Sequence, residues 1–191
     1  MRVHPNKPAI RAFGIAESFR RADTRSTIAG AVMRSDLVLD GFAFGGAAVG
    51  GDDATDALVR LYRALHRDDV NVILLSGAII SYYNVVDVDA FASKTGVPVI
   101  CLTYSESPGI EDAIKARFIA WEAKVALCRR LGARTSLLLK TGKMVYVRLA
   151  SIEEYDARQV MDSFTLQGAL AEPVRVARLL ARARRADHRG T

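Results

Sequence analysis

The chain has 191 residues, half of them apolar and a quarter charged, with 27 basic against 21 acidic side chains and a net charge of +6. That length supports one globular domain over 1–191 with a sizeable core, and the composition excludes disorder as the overall state. The longest apolar runs, Val72 to Leu75 and Val97 to Leu102, fall far short of the roughly 20 residues of a membrane-crossing helix. The basic start, Met1 to Pro8, lacks the apolar stretch of a secretory signal, so a cytoplasmic protein without a membrane partner is expected.

Ile10 to Ala16, Thr27 to Met33 and Leu37 to Val49 read as three successive strands, and Arg34-Ser35-Asp36 suits a hairpin turn between the second and third. Asp53-Ala54-Thr55-Asp56 opens a helix in which Ala57, Leu58, Leu61, Tyr62 and Leu65 recur at three- and four-residue spacing, with Asp52 or Asp53 as the expected cap. Asn71 to Leu75 and Val97 to Leu102 are continuous apolar runs of the kind that strands buried on both faces show. Val86 to Lys94 reads as the helix between them, so the two strands should be parallel with a right-handed crossover. Ile114, Phe118, Trp121, Val125 and Cys128 predict one long amphipathic helix from Ile110 to Leu131. A strand from Met144 to Leu149 and helices over Glu154 to Phe164 and Val174 to Ala183 complete the order. The expectation is an α/β fold, a mixed sheet flanked by helices on both faces.

The two cysteines, Cys101 and Cys128, read as small apolar residues in a reducing compartment. His4, His66 and His188 lie too far apart in kind and place for a zinc site or a histidine-centred triad. Catalysis would therefore fall to carboxylates. Ligands gather outside the carboxyl ends of strands in such sheets. The acids expected near strand ends or helix starts are Glu17, Asp40, Asp52, Asp53 and Asp87. Two or three of them, drawn together, would hold Mg²⁺ or Mn²⁺ through hard oxygen ligands; apart, each caps a helix or faces water.

Ser76 to Asp87 is the most chemically loaded loop. Tyr82 and Tyr83 offer faces for base stacking and Asn84 a hydrogen-bonding amide, with helix capping and packing as the competing roles. Lys140-Thr141-Gly142-Lys143 is a basic turn without the spacing of a P-loop, in which Lys140 and Lys143 are candidate phosphate contacts. The segment 172–191 holds six arginines against Glu172 and Asp187. As a basic helix or tail it makes nucleic acid the first partner to consider, through Arg178, Arg182, Arg184 and Arg185.

The succession Gly14-Ile15, Asp40-Gly41, Gly51-Asp52-Asp53-Ala54-Thr55, Leu75-Ser76-Gly77, Tyr83 to Asp87, Gly96 to Ile100 and Glu172 to Ala181 resembles the archaeal endonuclease dU family, which is similar to endonuclease V. The resemblance spans nearly the whole chain. It implies a ribonuclease H-like fold, binding of nucleic acid, DNA first, and Mg²⁺- or Mn²⁺-dependent cleavage near a deaminated base. Carried onto this sequence, it makes Glu17, Asp53 and Asp87 the catalytic and metal-binding candidates, with Asp40 a fourth. This chain departs from the family pattern: Ala16-Glu17 stands where a pair of aspartates is expected after Gly-Ile, and Gly50 stands at one further acidic position; Ser76 stands where endonuclease V has the acid of an Asp-Gly motif. A one-residue displacement in a strand means the opposite face. The alternative is therefore a catalytically inactive relative that binds nucleic acid.

Overall fold

The structure, a computed structural model, describes residues 10–104 and 109–187. His4, His188 and Arg189 lie outside the described residues. Strands β1 (Arg11–Ser18), β2 (Thr27–Arg34) and β3 (Leu39–Gly45) form an antiparallel meander. The turn that joins the last two closes with Leu37 in left-handed backbone and with the Arg34 N–H donating to Val38 O. Helix α1 (Ala54–Arg63) follows, then β4 (Val72–Ser76), a small hairpin of β5 (Ile79–Ile80) and β6 (Asn84–Val85), α2 (Val88–Thr95) and β7 (Val99–Thr103). Strand β4 lies parallel to both β1 and β7. Its apolar run is buried because helices cover both its faces. Helices α3 (Glu111–Lys115) and α4 (Glu122–Arg130), the antiparallel pair β8 (Thr135–Leu138) and β9 (Met144–Ala150), α5 (Glu154–Phe164) and α6 (Glu172–Asp187) complete the chain.

The seven-stranded sheet runs β3-β2-β1-β4-β7-β9-β8, the mixed sheet flanked by helices that was expected. Alternation along the strands divides the core in two. Phe13, Ile15, Ile73, Leu75 and Cys101 pack under α1 and α2. Ala12, Ala16, Leu74, Ile100 and Leu102 pack under α5 and α6. Helix α6 buries Val174, Ala177 and Ala181 at helical spacing, so the arginine-rich end is a packed element with a basic outer face. It comes so close to β1 that a Cβ at Gly14 would sit 2.2 Å from the Pro173 carbonyl carbon, a contact only glycine allows.

One expectation fails for a tertiary reason. The long helix over Ile110 to Leu131 is broken between α3 and α4, where Phe118 turns inward onto Tyr82 and Tyr83. Strand β8 and the β5–β6 hairpin carry too few residues for a periodic pattern, and pairing with their neighbours alone reveals them.

Candidate functional site

The carboxyl ends of β1, β4 and β7 meet at one rim of the sheet, and Glu17 stands there on the α1/α2 face. Both its carboxylate oxygens accept from the Ser81 N–H (2.8 and 2.9 Å), and Oε2 accepts from the Ser81 hydroxyl (2.8 Å). The Ser81 hydroxyl lies 2.6 Å from that of Ser26. Burial pushes the Glu17 pKa up from its ordinary value, and the hydrogen bonds from Ser81 and Ser26 only partly offset that. Ser81, Tyr82 and Tyr83 all adopt left-handed backbone, an arrangement that costs of order 1–3 kcal/mol per residue and needs over-determined surroundings. Glu17 is one restraint; the Gly50 N–H, donating to Ser81 O at 2.7 Å, is another.

A third restraint is Lys124 of α4, which is 4% exposed. Its ammonium donates to Gly51 O (2.5 Å) and Tyr83 O (3.3 Å) and pairs with Asp52 (2.6 Å). Sequence reasoning missed this residue because a lysine beside the apolar stripe of a helix reads as solvated. The turn presents Tyr82 and Tyr83, half-buried and edge-to-face at 4.9 Å, with Arg21 over Tyr82 and Arg117 over Tyr83. The Arg21 guanidinium also donates to the Tyr82 hydroxyl.

The four proposed metal ligands do not share a site. Asp53 Oδ1 accepts from the Ala48 N–H (2.9 Å) and the Asn84 amide (2.8 Å). Burial raises its pKa, but those bonds and the Arg25 charge outweigh it and leave the carboxyl below its usual value. Asp87 caps α2 through the Ala90 N–H and pairs with Arg130. Asp40 lies toward the opposite rim with Arg11 (2.6 Å) and Arg67 (2.9 Å), whose hydrogen bonds hold its carboxyl below the ordinary range. Among the described residues, no three His, Cys, Asp or Glu side chains come together as a metal-binding group. The convergence of Glu17, Asp53, Asp87 and Asp40 expected from the resemblance is thus corrected. A half-buried Glu17 with both oxygens engaged, Asp53 held by the Ala48 N–H and the Asn84 amide, and Asp87 and Asp40 committed to a cap and to ion pairs do not fit a shared Mg²⁺ or Mn²⁺.

Asn84 needs the same correction. It is fully buried, accepts from the Ala54 N–H and donates to Ala48 O. It thereby supplies the acceptor for the first turn of α1 that the N-cap residue, Asp53, does not, and its amide faces no solvent in which to meet a base. Lys140 and Lys143 are exposed in the β8–β9 turn; the pairing of Thr103 with Tyr146 places this turn beyond the carboxyl end of β7.

On the α6 face of the same rim the departures from the family pattern become physical. The β1–β4 register, paired through Ile15 and Leu75, brings Ala16 beside Ser76 one step further on. There Arg178 donates to the Ser76 hydroxyl at 2.9 Å, with its guanidinium 5.3 Å from the Tyr104 ring. The Tyr104 hydroxyl is buried without a hydrogen-bond partner among the described residues, and burial pushes its pKa up to about 12. Beside the ends of β4 and β7 a cleft of about 580 Å³ opens, with Gly77, Thr103, Cys128, Arg129 and Arg148 among its walls.

The sequence pattern of endonuclease dU matches residues 8–185. The chain belongs to the endonuclease dU family. Similar proteins are UPF0215 proteins of Pyrobaculum calidifontis, 39% identical over 168 residues (87% of this chain, 92% of the relative), and of Pyrobaculum aerophilum, 38% identical over 172 residues (90% and 92%). A protein of unknown function from Archaeoglobus fulgidus has a similar structure, with a TM-score of 0.76, 23% identity and coverage of 93% of this chain and 98% of that one. Endonuclease V of Ciona intestinalis, solved with DNA containing an inosine followed by a ribo-adenosine, gives a TM-score of 0.63 at 12% identity, covering 98% of this chain and 91% of that one. This chain and endonuclease V thus share a fold. No helix among the described residues is long and apolar enough to cross a membrane.

Proposed function

We propose that this chain is a nucleic-acid-binding member of the endonuclease dU family that engages the phosphodiester backbone, DNA first, through arginine at the carboxyl rim of its sheet, without a carboxylate-held metal. The observation that carries this reading is Arg178 seated on Ser76 beside Ala16, a cation next to the first-strand position where the family pattern leads one to expect an aspartate. Guanidinium suits this role because its planar fork of N–H donors matches phosphate oxygens. Arg182, Arg184 and Arg185 extend the charge along α6, and Lys140 and Lys143 flank the rim on its β8–β9 side. A cytoplasmic location, in keeping with the free thiols of Cys101 and Cys128, belongs to the same reading.

A second reading, Mg²⁺- or Mn²⁺-dependent cleavage beside a deaminated base, is favoured by the family match and by the likeness to an endonuclease V solved on inosine-containing DNA. It would seat an extruded base in the cleft beside Gly77 and asks Glu17 and Asp53 to leave their present hydrogen bonds. The test is nicking of uracil- and hypoxanthine-containing DNA with either metal, beside a relative that carries the aspartate pair. Binding that EDTA leaves untouched, without nicking, is the expected result. Metal-dependent nicking by this protein, abolished by Asp53→Asn with the melting temperature preserved, would overturn it in favour of the second reading.

A further inference from the structure

A second arginine cluster lies at the outer end of the same rim, where α6 passes the ends of β2 and β3. A cleft of about 370 Å³ there is lined by Arg25, Ser26, Thr27, Phe44, Gly45, Gly46 and Arg184, with no carboxylate among them. Phe44 is 38% exposed and its neighbour Phe42 is 56% exposed, the two rings meeting edge-to-face at 5.7 Å. The Arg184 guanidinium lies 5.7 Å from the Phe44 centroid. Among the described residues the carboxylate that Arg184 meets is a distant one, Asp187 at 3.8 Å on its own helix. Arg25 donates to Gly46 O at 2.6 Å, and the Asp53 carboxylate that feels its charge does not line the cleft.

Exposed phenylalanine on an edge strand is a liability unless something covers it. Here one guanidinium, of Arg184, lies over the ring and a second, of Arg25, lines the same cleft, so the surface calls for a partner that is anionic and flat at once. An unpaired nucleotide has both properties: its base stacks on an aromatic face while its phosphate meets arginine. In a duplex the base faces are already stacked on one another, and Phe44 gains nothing from it.

We propose that the Arg25–Phe44–Arg184 cleft is a stacking subsite for one nucleotide of single-stranded nucleic acid, and that this protein prefers single strands to duplex. The proposal rests on the binding reading above and names its substrate class. The strand would run from Arg178 along the arginines of α6 to Phe44.

The experiment measures fluorescence anisotropy of the full chain with labelled oligothymidylate, oligouridylate and a DNA duplex of equal length. The expected result is tighter binding of a single strand than of duplex, the better of the two identifying the preferred sugar. Phe44→Leu, which keeps an apolar side chain on β3 but removes the ring, should weaken single-strand binding by about 5-fold or more and leave duplex binding unchanged. Arg184→Gln should lower the salt dependence of single-strand binding by about 0.7 in log–log slope. Duplex bound as tightly as single strands, with Phe44→Leu silent, overturns this proposal and leaves the binding reading standing; no binding of any oligonucleotide overturns both. A Phe44→Leu variant that changes the oligomeric state by light scattering while the affinity stays constant assigns the patch to a second copy of the chain and also overturns the proposal.

Discussion

At the scale of single residues, the displacement of one acid by one position changes what it can do. Odd-numbered positions of β1, Phe13 and Ile15, face α1 and α2, and Glu17 continues that side, whereas Ala16 faces α6. Glu17 therefore meets the Ser81 turn and not Ser76, and its work is to hold a strained loop. Its raised pKa fixes the sign of a pH effect. The folded protein keeps the Glu17 proton at pH values where the unfolded chain has released it, so the contribution to stability is fully present below the ordinary value of 4.5 and is lost as pH rises through the folded pKa. Thermal melts across this range should show that decline in the parent and a flatter profile in Glu17→Gln. Parallel profiles for the two proteins would contradict it. The parity of Glu17 was legible in the sequence; its partner was not, because Ser81 lies 64 positions away.

At the scale of elements, helix α1 shows where local signals mislead. Asp53 occupies the N-cap position, as the sequence suggests, yet makes no capping hydrogen bond of its own. Asn84 reaches across from β6 to accept from the Ala54 N–H while its amide donates to Asp53 and Ala48 O. Asn84→Ala should therefore strand a buried helix N–H and a half-buried carbonyl, at about 2 kcal/mol, lowering the melting temperature by about 4–8 °C. An unchanged melting temperature would remove Asn84 from this role. The break between α3 and α4 teaches the same lesson. The apolar stripe predicted a continuous helix, but the tyrosine turn draws in Phe118, and the buried Lys124 ammonium ties α4 to Gly51 and Tyr83.

At the scale of the whole molecule, the surplus of six positive charges has a direction. Helix α6 packs its small apolar stripe on β1 and β2 and so turns its arginines along the rim where the parallel strands end. A cation stripe of this kind releases counterions when it meets a polyanion, and each phosphate neutralised contributes about 0.7–0.9 to the slope of log affinity against log salt. Arg178→Gln should lower that slope by just under one unit in anisotropy titrations. A slope equal to that of the parent would take Arg178 out of the phosphate contacts.

The sequence by itself determined the layer order, the antiparallel hairpin of β2 and β3, the parallel strands β4 and β7, the basic α6 and the missing acidic positions, since all of these follow from local periodicity, turn chemistry and residue identity. Only the tertiary structure decided where each acid went. Asp40 was claimed by Arg11 and Arg67, Asp87 by α2 and Arg130, Asp53 by Ala48 and Asn84, and Glu17 by Ser81. A carboxylate binds whichever donor the fold brings nearest, and most of those donors sit on other elements.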